Sequence, residues 1–267
     1  MTDISDPGAS VPSRLGVGAR FEDDVLLLEL TPQEETLHHG IVRASVLSFV
    51  VDVVAGVPLD QDPTLWTLTS DMSVRMRPIP APKRIDATST IVRQGKRSTT
   101  CTVELKADDG GPVATGVIGF AKIPRKATDP PKPNVPLGQT PILFRNPITL
   151  TRPLREEAGI QVVDAAEGVA LVEITPDLRN PAGTLQGAMV ALVAEAAAED
   201  LMEARFGPPY VVTDLDIRYL RKTGLGPVVT RSRLLGVGPD APVEIMLIDT
   251  STDAITTLVY ARAVAVT

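Results

Sequence analysis

The chain carries one pattern twice, and that duplication narrows the folds open to it. The segment GIVRASVLSFVVDVVA begins at Gly40, and GTLQGAMVALVAEAAA begins at Gly183. Aligned without gaps, each opens on glycine, sets a polar residue three places on (Arg43, Gln186) and one acid twelve places on (Asp52, Glu195). The match extends both ways. Upstream, Leu27–Pro32 parallels Leu171–Pro176; downstream, Ser70–Arg75 parallels Thr213–Arg218. The acid precedes a hydroxyl by eighteen residues in both copies, Asp52 to Ser70 and Glu195 to Thr213. A repeat of roughly 115 to 130 residues is too long for a solenoid unit and suits two copies of a small domain.

Each acid stands in an otherwise apolar stretch. A buried carboxylate is costly unless it is paired or hydrogen-bonded. Its recurrence points either to a reacting group or to a structural acid capped by backbone and hydroxyl donors.

Both copies show the same order of elements. In the first, a strand (25–30) and a Thr-Pro turn lead into one apolar helix (42–55). Runs rich in Val, Ile and Thr follow at 66–77, 84–93, 99–106 and 113–123. In the second, the strand is 169–174, the helix 184–204, and the runs 211–221, 227–235, 243–249 and 254–266. This predicts an α+β fold in which an antiparallel sheet wraps one long helix per copy. The expected organisation is a flexible tail (1–18), a first domain (19–123), a proline-rich linker (124–153) and a second domain (154–267).

Composition excludes several functions. With 33 acidic against 26 basic residues, net charge −7, the chain lacks the basic surface that nucleic acid requires. Aromatics at 3% leave few platforms for stacking bases. Cys101 is alone, so no intrachain disulfide forms and a reducing compartment fits. The first residues lack a hydrophobic signal region, and Asp52 and Glu195 interrupt the apolar helices, so a soluble cytoplasmic protein without a membrane span is expected. There is no G-x-S-x-G elbow, phosphate-binding loop or G-x-G-x-x-G. The only histidines, His38 and His39, are too few for a typical zinc site and read as loop residues; no metal is expected.

The run Asn180-Pro-Ala-Gly183-Thr-Leu-Gln186-Gly187-Ala188, with Glu195 further on, resembles the signature of hotdog-fold acyl-CoA thioesterases. It is most similar to the branch acting on phenylacetyl-CoA and related thioesters. That motif reads Asn, two residues, Gly, two residues, His-Gly-Gly, then an acid on the helix. Here Gln186 replaces the His. Copy one keeps Gly40 and Asp52 but has Leu37 for the Asn and Arg43-Ala44-Ser45 for His-Gly-Gly.

The resemblance implies two tandem hotdog domains paired as a pseudo-dimer, with a site at each junction. Site one would join Asn180, Gln186 and Gly187 to Asp52 and Ser70. Site two would join Leu37, Arg43 and Ala44 to Glu195 and Thr213, and is expected to be degenerate. In site one the Gly187 N–H would hold the carbonyl oxygen, and Asp52 would activate water or attack directly. Ser70 would position Asp52 or the water. Asn180 would hold its loop or contact the reacting centre, and Gln186 would keep hydrogen-bonding capacity. Gly183 would shape the substrate approach. Arg221 and Lys222 are candidates for the phosphates of coenzyme A, with solvated strand ends as the competing reading.

The implied activity is hydrolysis of an acyl-CoA or acyl-carrier thioester. No cofactor is expected beyond the coenzyme A of the substrate, and further assembly into a homo-oligomer is implied. The alternative is a non-catalytic protein that binds acyl thioesters or apolar ligands. A hydratase on the same fold would need a histidine at the site, and none is placed there.

Overall fold

The computed structural model describes residues 10–22, 25–132, 149–207 and 209–266. The first half contains β1 (Val17–Glu22), β2 (Val25–Leu30), the short strands β3 (Leu37–His38) and β4 (Ile41–Val42), and α1 (Ala44–Leu59). It continues with β5 (Leu65–Met76), β6 (Ile85–Gln94), β7 (Ser98–Ala107) and β8 (Pro112–Pro124). The second half contains α2 (Leu154–Glu157), β9 (Gln161–Asp164), β10 (Val169–Val172) and α3 (Gly187–Phe206). It ends with β11 (Tyr210–Tyr219), β12 (Val228–Leu234), β13 (Val243–Asp249) and β14 (Ala254–Ala265).

Twelve strands form one sheet in the order β1-β2-β6-β7-β8-β5-β11-β14-β13-β12-β10-β9, and β3 pairs with β4 apart from it. Every pairing in the large sheet is antiparallel. Alternate residues face the core, as Val243, Ile245 and Leu247 do on β13.

The halves meet where β5 pairs with β11, and the register there is reciprocal. Asp71 lies opposite Arg218, and Arg75 opposite Asp214. In the repeat, Asp71 matches Asp214 and Arg75 matches Arg218. The Arg75 Nε stands 3.0 Å from Asp214 Oδ1.

Helices α1 and α3 rest against each other and on the sheet. Both are apolar over most of their surface, because sheet and partner helix leave little of either facing water. A Cβ at Gly116 of β8 would lie 2.8 Å from both Val51 Cγ atoms, so α1 sits directly on the strand backbone. Alanines at 188, 191, 194, 197 and 198 are all buried and let α3 come equally close to its neighbours.

The expected strands and helices are present, with ends shifted by a few residues. The short strands β3 and β4, the one-turn helix α2 and the outer strands β1 and β9 were not foreseen. Strands β1 and β9 add one outer strand to each half. The expected tail 1–18 gives way over its second part: Val11 and Leu15 are fully buried, the Val11 N–H donates to the Asp177 carbonyl at 3.0 Å, and β1 starts at Val17. Those few apolar residues are too short a run to display a period. Residues 1–9, and most of the proposed linker, lie outside the described residues. No helix among the described residues is long and apolar enough to cross a membrane.

Candidate active site

Asp52 projects from the middle of α1, where its carboxylate is partly buried. Its Oδ1 accepts a hydrogen bond of 2.5 Å from the Thr69 hydroxyl on β5. Burial pushes its pKa up to about 6, with Thr69 pulling the other way. The group is therefore ionised at neutral pH but more basic than a surface carboxylate.

Residues of the second half lie nearby. Tyr219, at the end of β11, donates its hydroxyl hydrogen to the Gly187 carbonyl at 3.1 Å. Burial first, and then the Asp52 charge, raise the Tyr219 pKa, so its proton stays in place. Asp52 of one half thus lies within electrostatic reach of a tyrosine held to the first residue of the other half's helix. Among the described residues the Gly187 N–H, at the start of α3, has no hydrogen-bond acceptor. An unpaired N–H at a helix N-terminus favours negative charge. A Cβ on Gly187 would stand 3.2 Å from the Tyr219 hydroxyl oxygen, a close fit that glycine relieves.

The neighbouring motif residues build this end of the helix. Gln186 Oε1 accepts from the Ala188 N–H at 2.6 Å and the Met189 N–H at 3.4 Å and so caps the N-terminus of α3. Asn180 Oδ1 accepts from the Thr184 N–H and hydroxyl, both at 3.1 Å. Gly183, at φ +79°, donates its N–H to the Asn180 carbonyl at 2.9 Å. Of the two roles open to Asn180, the structure displays the loop-holding one.

Ser70 is a correction. It sits where the β5–β8 register shifts between Thr69 and Asp71, and its hydroxyl donates to Asp71 Oδ2 at 2.8 Å. The bulge makes Thr69, seventeen residues after Asp52, the hydroxyl that meets the acid. Thr213 behaves as Ser70 does: it lies at the matching shift in β11 and donates to Asp214 Oδ2 at 2.8 Å. Arg221 and Lys222 are exposed just beyond β11 and form no ion pair among the described residues. Tyr219 escaped the sequence reading because its counterpart in the repeat is the apolar Met76. That mismatch was the available signal.

The second junction is closed. Glu195 Oε1 accepts the Ala44 N–H at 2.7 Å, and its Oε2 accepts the Ser45 hydroxyl at 2.5 Å. Arg43 Nη1 lies 2.9 Å from Glu199 Oε2 and 3.7 Å from Glu195 Oε2, with all three side chains almost wholly buried. Burial raises the pKa of both acids, Glu199 to about 8, while Arg43 draws them down. The helix N–H that matches Gly187 is thus already taken. Leu37 is partly buried on β3 and brings no polar group.

No protein-family model and no curated protein matches the sequence. Solved structures do match in fold. An acyl-ACP thioesterase from Bacteroides thetaiotaomicron superposes with a TM-score of 0.61 at 10% identity, covering 94% of this chain and 99% of its own. The tesB protein of Mycobacterium avium subs paratuberculosis gives 0.62 at 11% identity, covering 96% and 98%. A protein of unknown function with a hot dog fold from Alicyclobacillus acidocaldarius gives 0.57 at 11% identity, covering 100% and 99%. The chain has the hotdog fold.

Proposed function

We propose that two hotdog units pair within this chain as a pseudo-dimer and hydrolyse acyl-CoA or acyl-carrier thioesters at one composite site. The pairing is supported by the reciprocal β5–β11 register, in which matching residues exchange partners as they do across a two-fold axis. The carrying observation is the contrast between the junctions. At one, Glu195 reaches across and occupies the Ala44 N–H. At the other, Asp52 occupies the matching place with a side chain one methylene shorter, and the Gly187 N–H has no acceptor among the described residues. In this reading the place that the longer acid takes at the other junction goes to the thioester carbonyl oxygen.

In this reading the thioester oxygen accepts from the Gly187 N–H, where the positive end of α3 stabilises the charge that develops on it. Asp52 removes a proton from water as the water oxygen bonds to the carbonyl carbon. The tetrahedral intermediate then expels the thiolate, which takes the proton back from the Asp52 carboxyl, leaving a carboxylic acid and a free thiol. Thr69 orients the carboxylate, and Tyr219 holds the Gly187 peptide. Arg221 and Lys222, exposed beyond Tyr219, would meet the anionic groups of a carrier. The thioesterases among the structural neighbours support the same reaction class by fold alone.

The test is thiol release from a panel of acyl-CoA and acyl-phosphopantetheine thioesters. Turnover by the native protein that disappears in Asp52→Asn supports the composite site. Saturable binding without thiol release assigns a non-catalytic binder instead, and undiminished turnover in Asp52→Asn removes Asp52 from the mechanism.

A further inference from the structure

Beside the closed junction, the fold brings together three groups that are far apart in sequence. His38 and His39 lie where β3 ends, in the first half, and Glu203 lies on the last turns of α3, in the second. His38 Nε2 stands 3.7 Å and His39 Nε2 3.8 Å from the same oxygen, Glu203 Oε1. One ligand atom from each residue falls within 4.8 Å of the others. His39 adopts φ +49°, a left-handed conformation uncommon for a residue with a side chain, and this turns adjacent imidazoles toward one oxygen. The two rings lie 4.2 Å apart between centroids.

We propose that His38, His39 and Glu203 form a zinc site that clasps the two halves of the chain. Zinc takes imidazole nitrogen and carboxylate oxygen at about 2.0–2.2 Å, so tetrahedral ligands sit about 3.4 Å apart. The observed separations need only a few tenths of an ångström of closure along the two edges to Glu203. His38 Nε2 is buried, lies 3.4 Å from Glu199 Oε2, and among the described residues makes no hydrogen bond, an uncommon state for a polar atom and one that metal coordination relieves.

The surrounding charges leave room for a cation. Arg43 is matched by Glu199 and Glu195, and Arg155 by Asp200. Glu203 has no Lys or Arg at ion-pair distance among the described residues. Its Oε1 also accepts the Tyr210 N–H at 3.1 Å, which fixes the carboxylate from behind. The histidines line a solvent-open cavity of about 350 Å³ that also touches Glu34, Glu35 and Arg152. The fourth coordination position therefore faces water. Two histidines looked too few in the sequence because the third ligand comes from the other copy.

The experiment is calorimetric titration of the chelator-stripped full chain with Zn²⁺, repeated with Co²⁺ for its visible spectrum. One equivalent binds, the thermal midpoint rises, and the Co²⁺ form shows the intense absorption of a four-coordinate ion. His39→Asn keeps the left-handed backbone and removes a ligand; Glu203→Gln keeps shape and removes charge. Each loses at least about tenfold in affinity while the metal-free protein melts as before. No saturable uptake, or uptake that both variants retain, overturns the site. Neither result bears on thioester hydrolysis, because Asp52 lies at the other junction.

Discussion

Glu195 and Ala44 belong to different halves of the chain, yet the Glu195 carboxylate accepts the Ala44 N–H at 2.7 Å. The matching pair, Asp52 and Gly187, makes no such bond among the described residues. One methylene distinguishes the acid that caps the opposite helix end from the acid that does not. This asymmetry gives the two halves different consequences under mutation and pH.

Asp52 should weaken the fold it serves. Its pKa is 3.8 ordinarily and about 6 in the folded protein, so the folded state holds the proton more tightly. The associated stability is full below the ordinary value and is lost as pH rises through about 6, amounting to at most about 3 kcal/mol. Asp52→Asn lacks this loss. In urea denaturation it should be more stable than the native protein near pH 8, by up to about 3 kcal/mol, with the gap closing near pH 4. The same variant should lose about 100-fold or more in kcat/KM. Equal stability at both pH values would show that Asp52 is not desolvated.

Thr69 and Ser70 are neighbours with opposite expected effects. The Thr69 hydroxyl stabilises the ionised form of Asp52, whereas Ser70 serves Asp71. Thr69→Val should move the acid limb of the kcat/KM profile up by about one pH unit. Ser70→Ala should leave that limb where it is. A shift caused by Ser70→Ala alone would restore the eighteen-residue pairing.

The sequence made the architecture legible because repetition and alternation are local signals. Each helix is a long apolar run with one acid, and each strand alternates, so the order of elements followed directly. The join between halves was legible only as a consequence of resemblance, since nothing in Asp71 or Arg218 declares that they face each other. The site was less legible. A bulge exchanged Ser70 for Thr69, and bulges carry no reliable composition. Tyr219 and Glu203 act through contacts made only once the halves are paired. The contrast between Asp52 and Glu195 was legible only in the residues around them, because the contact that Glu195 makes with Ala44 depends on its longer side chain.

Tyr219 touches the site through the Gly187 carbonyl, so its role is positional. Tyr219→Phe keeps the ring and removes one hydrogen bond, worth about 1 kcal/mol. It should lower kcat about fivefold with little change in KM, because the N–H of that helix end is used chiefly in the transition state. Tyr219→Met, which copies Met76, should do the same. An effect on KM alone would place Tyr219 in substrate binding.

The closed junction should matter for folding and not for turnover. Arg43→Met leaves Glu195 and Glu199 buried without their cation, which costs about 3–5 kcal/mol. Both acids already have raised pKa values from burial, and removing Arg43 raises them further. A carboxylate with a raised folded pKa costs most when ionised, so the defect should be largest at alkaline pH and ease in acid. Adding Glu199→Gln to Arg43→Met removes one of the stranded charges and should recover part of the loss. Glu195→Gln keeps an oxygen for the Ala44 N–H, and its amide NH2 can donate to the Ser45 hydroxyl oxygen, so it should fold and hydrolyse thioesters at the native rate. Denaturation curves across pH, read beside thiol release, check both halves of the argument. A folded Glu195→Gln protein without activity would place the reaction at the Glu195 junction.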